Sequence, residues 1–255
     1  LADGIKLGIV TPDADHGFTG ESVAHARAEA EALKAAGVID DYMMGVGGEA
    51  SKQIQAIADI LTWGPDVIML WPLEGDQLRN AAQTIVDEGV PLIIYDRLIE
   101  NFTGYAAEIM GDNEKIGNMM GEYLLNYFAD QLAAGETITY LLFIGDSSTV
   151  SKQRTEGMTS VLDASPYKDQ FKLITDAFQT DWSNAKSQEF MENWLSTADA
   201  DTIADLDFIC THDDEIVDGI MTVIGNSTAL TSLKIITSVG GRRETLSTFK
   251  SIETP

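Results

Sequence analysis

Short apolar runs alternate with amphipathic stretches along this chain, and the strand-like runs begin mostly about 25 to 35 residues apart. That interval is one strand plus one crossover helix, so the spacing predicts α/β architecture with parallel, doubly wound sheets and right-handed crossovers. Strands are expected near 5–10, 38–44, 66–71, 91–95, 105–109, 137–144, 171–178, 206–211 and 233–239, with helices between them. Glu21 to Ala36 is alanine-rich and closes on Gly37. Asp112 precedes Ile116, Met119, Met120, Tyr123 and Leu124 at helical spacing.

The rhythm breaks once. Leu98–Gly104 is too short to hold a crossover helix, so the fourth and fifth strands follow one another directly. A helix-free connector of this kind suits a passage between lobes, which places a hinge near Asn101–Ala106 and divides the chain into lobes 1–103 and 104–255. The alternative is an antiparallel edge strand of a single sheet. A chain of 255 residues with 44% hydrophobic content can fill two cores. There is also a short echo between the halves. Asp66-Val67-Ile68-Met69-Leu70-Trp71 parallels Asp207-Phe208-Ile209-Cys210-Thr211-His212, each an apolar strand ending in a polar-tipped ring.

In open α/β sheets, ligands lie beyond the carboxyl ends of the strands. Here those ends deliver Asp13 to Phe18, Trp71, Asp96-Arg97, Asp181-Trp182 and His212-Asp213-Asp214. A carboxylate beside a guanidinium offers acceptors and a planar fork of donors, which suits a neutral ligand rich in hydroxyl groups. An adjacent Asp and Arg is more often a solvated pair worth little. The rings change that balance, because Phe18, Trp71 and Trp182 are flat surfaces in or beside polar loops, and a sugar has apolar C–H faces with polar rims.

These residues carry a resemblance to the periplasmic sugar-binding proteins of the ribose-binding type, which deliver solutes to ABC transporters. It runs through Leu7–Phe18, Asp66–Pro72, Val90–Arg97, Gly111-Asp112-Asn113, Arg154 within Ser151–Gly157, Trp182 and Asp213-Asp214-Glu215. It implies the type I periplasmic binding fold, two lobes joined by a hinge with a ligand cleft between them. It also implies sugar contacts from Phe18, Asp96, Arg97, Arg154, Trp182 and Asp213. His16 and Trp71 join these as candidates at positions that depart from the family, where asparagine and a smaller polar residue are usual. Val239-Gly240-Gly241 departs too, standing where an aromatic-Asp pair is common. Related quorum-signal binders also carry glycines there, so a furanose-like ligand is a further reading. Family members continue beyond the ninth strand, so a return segment to the first lobe is expected to be missing after Pro255.

The resemblance implies a monomer outside the cytoplasm, in the periplasm or held to the membrane as a lipoprotein. Its partners would be a sugar and an ABC permease, with a chemoreceptor or sensor as an optional third. The main rival is the effector-binding core of a lactose-repressor-type regulator. A net charge of −25 leaves no basic surface for phosphates, so neither nucleic acid nor anionic lipid is an expected partner. Leu1-Ala2-Asp3-Gly4 contains no signal segment.

No enzyme, cofactor or metal is expected. Gly145-Asp146-Ser147 does not complete Gly-x-Ser-x-Gly, because Thr149 takes the last position. Gly45-Val46-Gly47-Gly48-Glu49 sets a carboxylate where pyrophosphate would lie. His16, His25 and His212 lack metal-ligand spacing. The lone Cys210 reads as a small buried hydrophobe, and one cysteine forms no internal disulfide.

Overall fold

The computed structural model describes residues 4–14, 17–225 and 227–252. The chain divides into two compact units, Leu1–Gly111 with Ser148–Val150, and Asp112–Ser147 with Ser151–Pro255.

The first unit runs β1 (Lys6–Thr11), α1 (Gly17–Ala35), β2 (Asp41–Val46), α2 (Ala50–Trp63), β3 (Val67–Leu70), α3 (Gly75–Asp87), β4 (Leu92–Tyr95) and β5 (Ala107–Ile109). Its strands form one sheet in the order β2-β1-β3-β4-β5, every pairing parallel. Ile57 and Ile60 of α2 and Leu78 and Ile85 of α3 bury against Val10, Ile68, Leu70, Leu92 and Ile94 of the sheet. Their spacing, three along α2 and seven along α3, sets one apolar face of each helix inward, and each such side chain contributes about 1.5–3 kcal/mol when fully buried. Gly64 ends α2 at φ 77°, its N–H reaching the carbonyls of Ile60 and Leu61 in a left-handed turn that costs a side-chain-bearing residue energy.

The helix-free connector corrects one expectation. Ile99 and Phe102 sink into the first unit's own core, and β5 pairs with β4 from Ile93↔Ala107 to Tyr95↔Ile109. The connector at Asn101–Ala106 therefore joins neighbouring parallel strands of one sheet and is not a passage between units. The units part after Gly111, one strand beyond the expected 103/104 boundary. All three residues of β5 are exposed, so its apolar content gave no sign of which core it joins.

The second unit runs α4 (Asn113–Tyr127), α5 (Ala129–Ala133), β6 (Ile138–Ile144), α6 (Thr149–Ala164), β7 (Phe171–Leu173), β8 (Phe178–Gln179), α7 (Asn184–Thr197), α8 (Ala200–Ala204), β9 (Phe208–Thr211), α9 (Asp214–Ile224), β10 (Ile235–Thr237) and α10 (Arg243–Ile252). The first residues of α6 group with the first unit. The sheet order is β10-β9-β6-β7, with β8 also on β6 and every pairing parallel. The strand expected over 171–178 is thus two short strands on successive stretches of β6.

Alternation along β6 and β9 divides two cores. Tyr140, Leu142, Phe208 and Cys210 face one side with Met120, Leu124 and Met158, while Leu141, Phe143 and Ile209 face the other with Met191, Trp194, Ile216 and Ile220. Burial on both faces explains why these strands read as unbroken apolar runs.

The two sheets repeat one another in register. Asp66 accepts from the Lys6 N–H at 2.7 Å, and Asp207 accepts from the Thr139 N–H at 2.9 Å. Leu7 pairs with Val67 as Tyr140 pairs with Phe208. At the far end the Trp71 N–H reaches the Val10 carbonyl as the His212 N–H reaches that of Phe143. Carried outward through Ile68↔Leu92 and Ile209↔Ile236, the correspondence sets Asp96-Arg97 level with Gly240-Gly241. The six-residue echo in the sequence marks this repeat.

Candidate functional site

In the first unit, the candidate residues gather at the carboxyl ends of β3 and β4. Trp71, 1% exposed, stands between Phe18 at 5.6 Å and Tyr95 at 5.2 Å, both edge-on. Phe18 is half exposed near the start of α1, so the outer ring is the accessible one. The Trp71 carbonyl accepts from Gln53 Nε2 at 2.9 Å, and Gln53 Oε1 accepts from the Leu73 N–H at 2.8 Å. Trp71 Nε1 has no hydrogen-bond partner among the described residues.

Beyond β4, the Arg97 N–H bonds back to the Tyr95 carbonyl at 2.7 Å around Asp96, whose φ is 63°. A three-residue turn of this hand is rare and strained, and such strain concentrates where a side chain must be aimed. The Asp96 N–H is held by the Ile109 carbonyl at 2.8 Å, so β5 anchors the turn. Arg97 is 4% exposed, donates from Nη1 to the Leu73 carbonyl at 2.9 Å, and has Nε 3.9 Å from Asp96 Oδ2. It is a buried, fixed cation beside a carboxylate rather than a solvated surface pair.

In the second unit, Arg154 of α6 is half-buried and held from three elements. Its Nε donates to Asn113 Oδ1 at 2.9 Å, its Nη1 donates to the His212 carbonyl at 2.7 Å, and its guanidinium carbon lies 5.7 Å from the Trp182 ring. Trp182 is 7% exposed and sits in a tight turn, Ser183 N–H to Thr180 carbonyl at 3.0 Å, with Asp181 and Trp182 at φ 50° and 60°. Two consecutive left-handed residues without glycine are costly. The turn is stapled by Thr180 Oγ1 to the Ile144 carbonyl at 2.8 Å and by the Asp181 N–H to the Gly145 carbonyl at 2.7 Å. The indole lies on Gly145, where a Cβ would come within 2.1 Å of Trp182 Cε2.

Asp213 caps α9, its Oδ1 accepting from the Glu215 N–H at 2.8 Å. Burial pushes its carboxyl up to about 6, with Asp214 and Glu215 adding to the rise and the Glu215 N–H and Arg154 opposing it. Asp214 points the other way, accepting from Ser238 Oγ at 2.7 Å and from the N–H groups of Gly241 and Arg242 at 2.7 and 2.8 Å. That carboxylate explains the first glycine after β10: a Cβ on Gly240 would lie 2.5 Å from Asp214 Oδ2. His212 is fully buried, with neither ring nitrogen partnered among the described residues. Burial, helped by Arg154, holds its pKa down to about 3, so it is neutral.

Thus Phe18, Trp71, Asp96 and Arg97 gather on the first unit, and Arg154, Trp182 and Asp213 on the second. His16 lies outside the described residues. Asn113 and His212 belong to the second group and were not among the candidates expected from sequence. A buried amide just after a capping aspartate was the available sign for Asn113. Each group offers rings, guanidinium donors and carboxylate acceptors, an inventory suited to hydroxyl-bearing ligands. Among the described residues no group of His, Cys, Asp or Glu is arranged to hold a metal ion, and no helix is long and apolar enough to cross a membrane.

The D-xylose-binding periplasmic protein of Haemophilus influenzae is 27% identical over 161 residues, covering 61% of this chain and 45% of that protein. The multiple sugar-binding periplasmic receptor ChvE of Rhizobium radiobacter is 26% identical over 231 residues, 86% of this chain and 63% of its own length. The chain therefore spans about half to less than two thirds of these curated relatives. Among solved structures, a Mycobacterium smegmatis protein in complex with β-D-fucofuranose superposes with a TM-score of 0.80 at 20% identity, covering 97% of this chain and 77% of that one. That likeness shares the fold. The description of a periplasmic binding protein domain matches residues 7–251, and the chain belongs to that family.

Proposed function

We propose that the chain is the sugar-capturing part of a solute-binding protein that works outside the cytoplasm, hands a monosaccharide to an ABC transporter and catalyses no reaction. The observation that carries this reading is the Arg154 site. A guanidinium is fixed by Asn113 and the His212 carbonyl beside the Trp182 ring, with the Asp213 carboxyl on the adjoining strand end. Donors held in place before binding spare the ordering cost that otherwise consumes hydrogen-bond energy. Asp96 and Arg97 on the first unit are a second set of sugar-binding candidates, Asp96 accepting from hydroxyls and Arg97 donating to them. Phe18 and Trp182 serve as apolar surfaces for ring C–H faces, and Trp71 backs Phe18.

The names of related proteins support a neutral monosaccharide. Relatives are named for xylose, ribose and multiple sugars, and proteins of the same fold are described with fucofuranose, arabinofuranose and myo-inositol. The effector-core reading draws no support from them. A permease is the expected partner, and a chemoreceptor would read the same sugar-loaded state.

A thermal-shift screen of pentoses, hexoses and furanose-locked glycosides, followed by calorimetry, tests the proposal. Arg154→Ala and Asp96→Ala should each weaken the sugar found by at least about 30-fold, the loss expected when a buried charged partner is stranded. Binding untouched by both substitutions would reject the site.

A further inference from the structure

We propose that Asn113 is the positioning residue of the Arg154 site: its side-chain oxygen fixes the plane of the guanidinium without itself touching the sugar. The inference rests on the reading of Arg154 as a sugar contact.

Asn113 is the first residue of α4 and is 3% exposed. Side chains at that position commonly help satisfy the open N–H groups of the first turn, but Asp112 already does so, accepting from the Lys115 N–H at 2.9 Å. A buried amide oxygen needs a donor inside the protein, and that of Asn113 accepts from Arg154 Nε at 2.9 Å. Nε lies on the stem side of the guanidinium, so a bond there sets the rotation of the plane. The Nη1 bond to the His212 carbonyl then fixes its tilt.

The seam between α4 and α6 makes the 2.9 Å distance possible. A Cβ on Gly117 would meet the Arg154 carbonyl oxygen at 2.2 Å, and one on Gly157 would meet that of Glu114 at 2.4 Å. The two helix backbones therefore touch next to the Asn113–Arg154 bond. Any side chain in the seam would part the helices and draw the amide away. Asn113 thus transmits the seam to the ligand through one hydrogen bond, and a small loss of that bond releases a long, flexible side chain at the point where the sugar needs it rigid.

Two measurements test this. The exchange rate of the Arg154 Nε–H proton, assigned by its loss in Arg154→Lys, should be slow in the wild type and in Asn113→Asp, which keeps the acceptor, and fast in Asn113→Ala. Calorimetry with D-xylose, D-ribose, L-arabinose and D-glucose as probes should then show Asn113→Ala weakening the best of them about tenfold, Asn113→Asp changing it less than about threefold, and Asn113→Ala adding less than about twofold in an Arg154→Ala background. Arg154→Ala weakening the sugar while Asn113→Ala leaves both affinity and exchange unchanged would overturn the inference alone. Failure of all four probes to bind wild type would count against the proposed function, while the exchange rate would still decide whether Asn113 holds the guanidinium. If Asn113→Ala does not fold, Asn113→Ser, whose shorter side chain cannot span the gap, takes its place with the same expected result.

Discussion

Replacing His212 with leucine should make the protein markedly more resistant to mild acid. His212 is fully buried with both ring nitrogens unpartnered among the described residues, and its pKa is held down to about 3. In the unfolded chain it returns to about 6.5. The folded state therefore stays neutral while the unfolded state gains a proton, and stability that is complete above pH 6.5 is lost as the pH falls toward 3. Between pH 7.5 and 5.0 that loss is about 2 kcal/mol. Asp213 works against it. Its carboxyl is raised to about 6, so the folded state binds the proton first and gains about 1 kcal/mol over the same interval. The wild type alone would show only the difference, a shallow slope that conceals two opposed titrations. Urea unfolding of wild type and His212→Leu at pH 7.5 and 5.0 separates them. Leucine fills nearly the same volume and cannot titrate, so the variant should lose about 2 kcal/mol less on acidification, and Asp213→Asn should lose about 1 kcal/mol more than wild type. Equal acid sensitivity of His212→Leu and wild type, within about 0.5 kcal/mol, would refute the reasoning.

Three further outcomes follow from the geometry. Gly145→Ala would place a Cβ 2.1 Å from Trp182 Cε2, so the indole must shift; tryptophan fluorescence should change and sugar affinity should fall at least about tenfold, with about 1–3 kcal/mol of stability lost to overpacking. An unaltered spectrum with full affinity would show that the ring's seat on Gly145 is unimportant. Asp214→Ala strands Ser238 Oγ and the N–H groups of Gly241 and Arg242, and urea unfolding should register a loss of about 3 kcal/mol; a loss below about 1 kcal/mol would mean that the loop finds other acceptors. Cys210 is buried and its thiol is pushed up to about 12, so iodoacetamide at pH 8 should label it only in denaturant, and rapid labelling of the native protein would contradict its burial.

The sheets were legible because their central strands are buried on both faces, as β6 and β9 are, and such strands read as apolar runs that no solvent-facing residue interrupts. The connector between β4 and β5 misled for the opposite reason. What ties it to the first unit is the burial of Ile99 and Phe102 and the Asp96 N–H bond to Ile109, and chain length reports none of these. At the site, Asp96-Arg97 and Trp182 could be named because they stand at strand ends. The positive φ values of Asp96, Asp181 and Trp182 could not be foreseen, since Asp and Trp do not announce a left-handed turn as glycine does. Asn113 and His212 escaped because their roles lie in a side-chain oxygen and a main-chain carbonyl offered to a residue some forty to sixty positions away, 41 and 58 respectively.

Asp96-Arg97 and Gly240-Gly241 occupy the same seat in two matched frames, one furnished with charge and the other reduced to bare main chain. The scaffold therefore keeps its register whatever its tips carry, and at the barer tip the carboxylate of Asp214, 2.5 Å from where a Cβ on Gly240 would lie, marks how little room a newcomer would have.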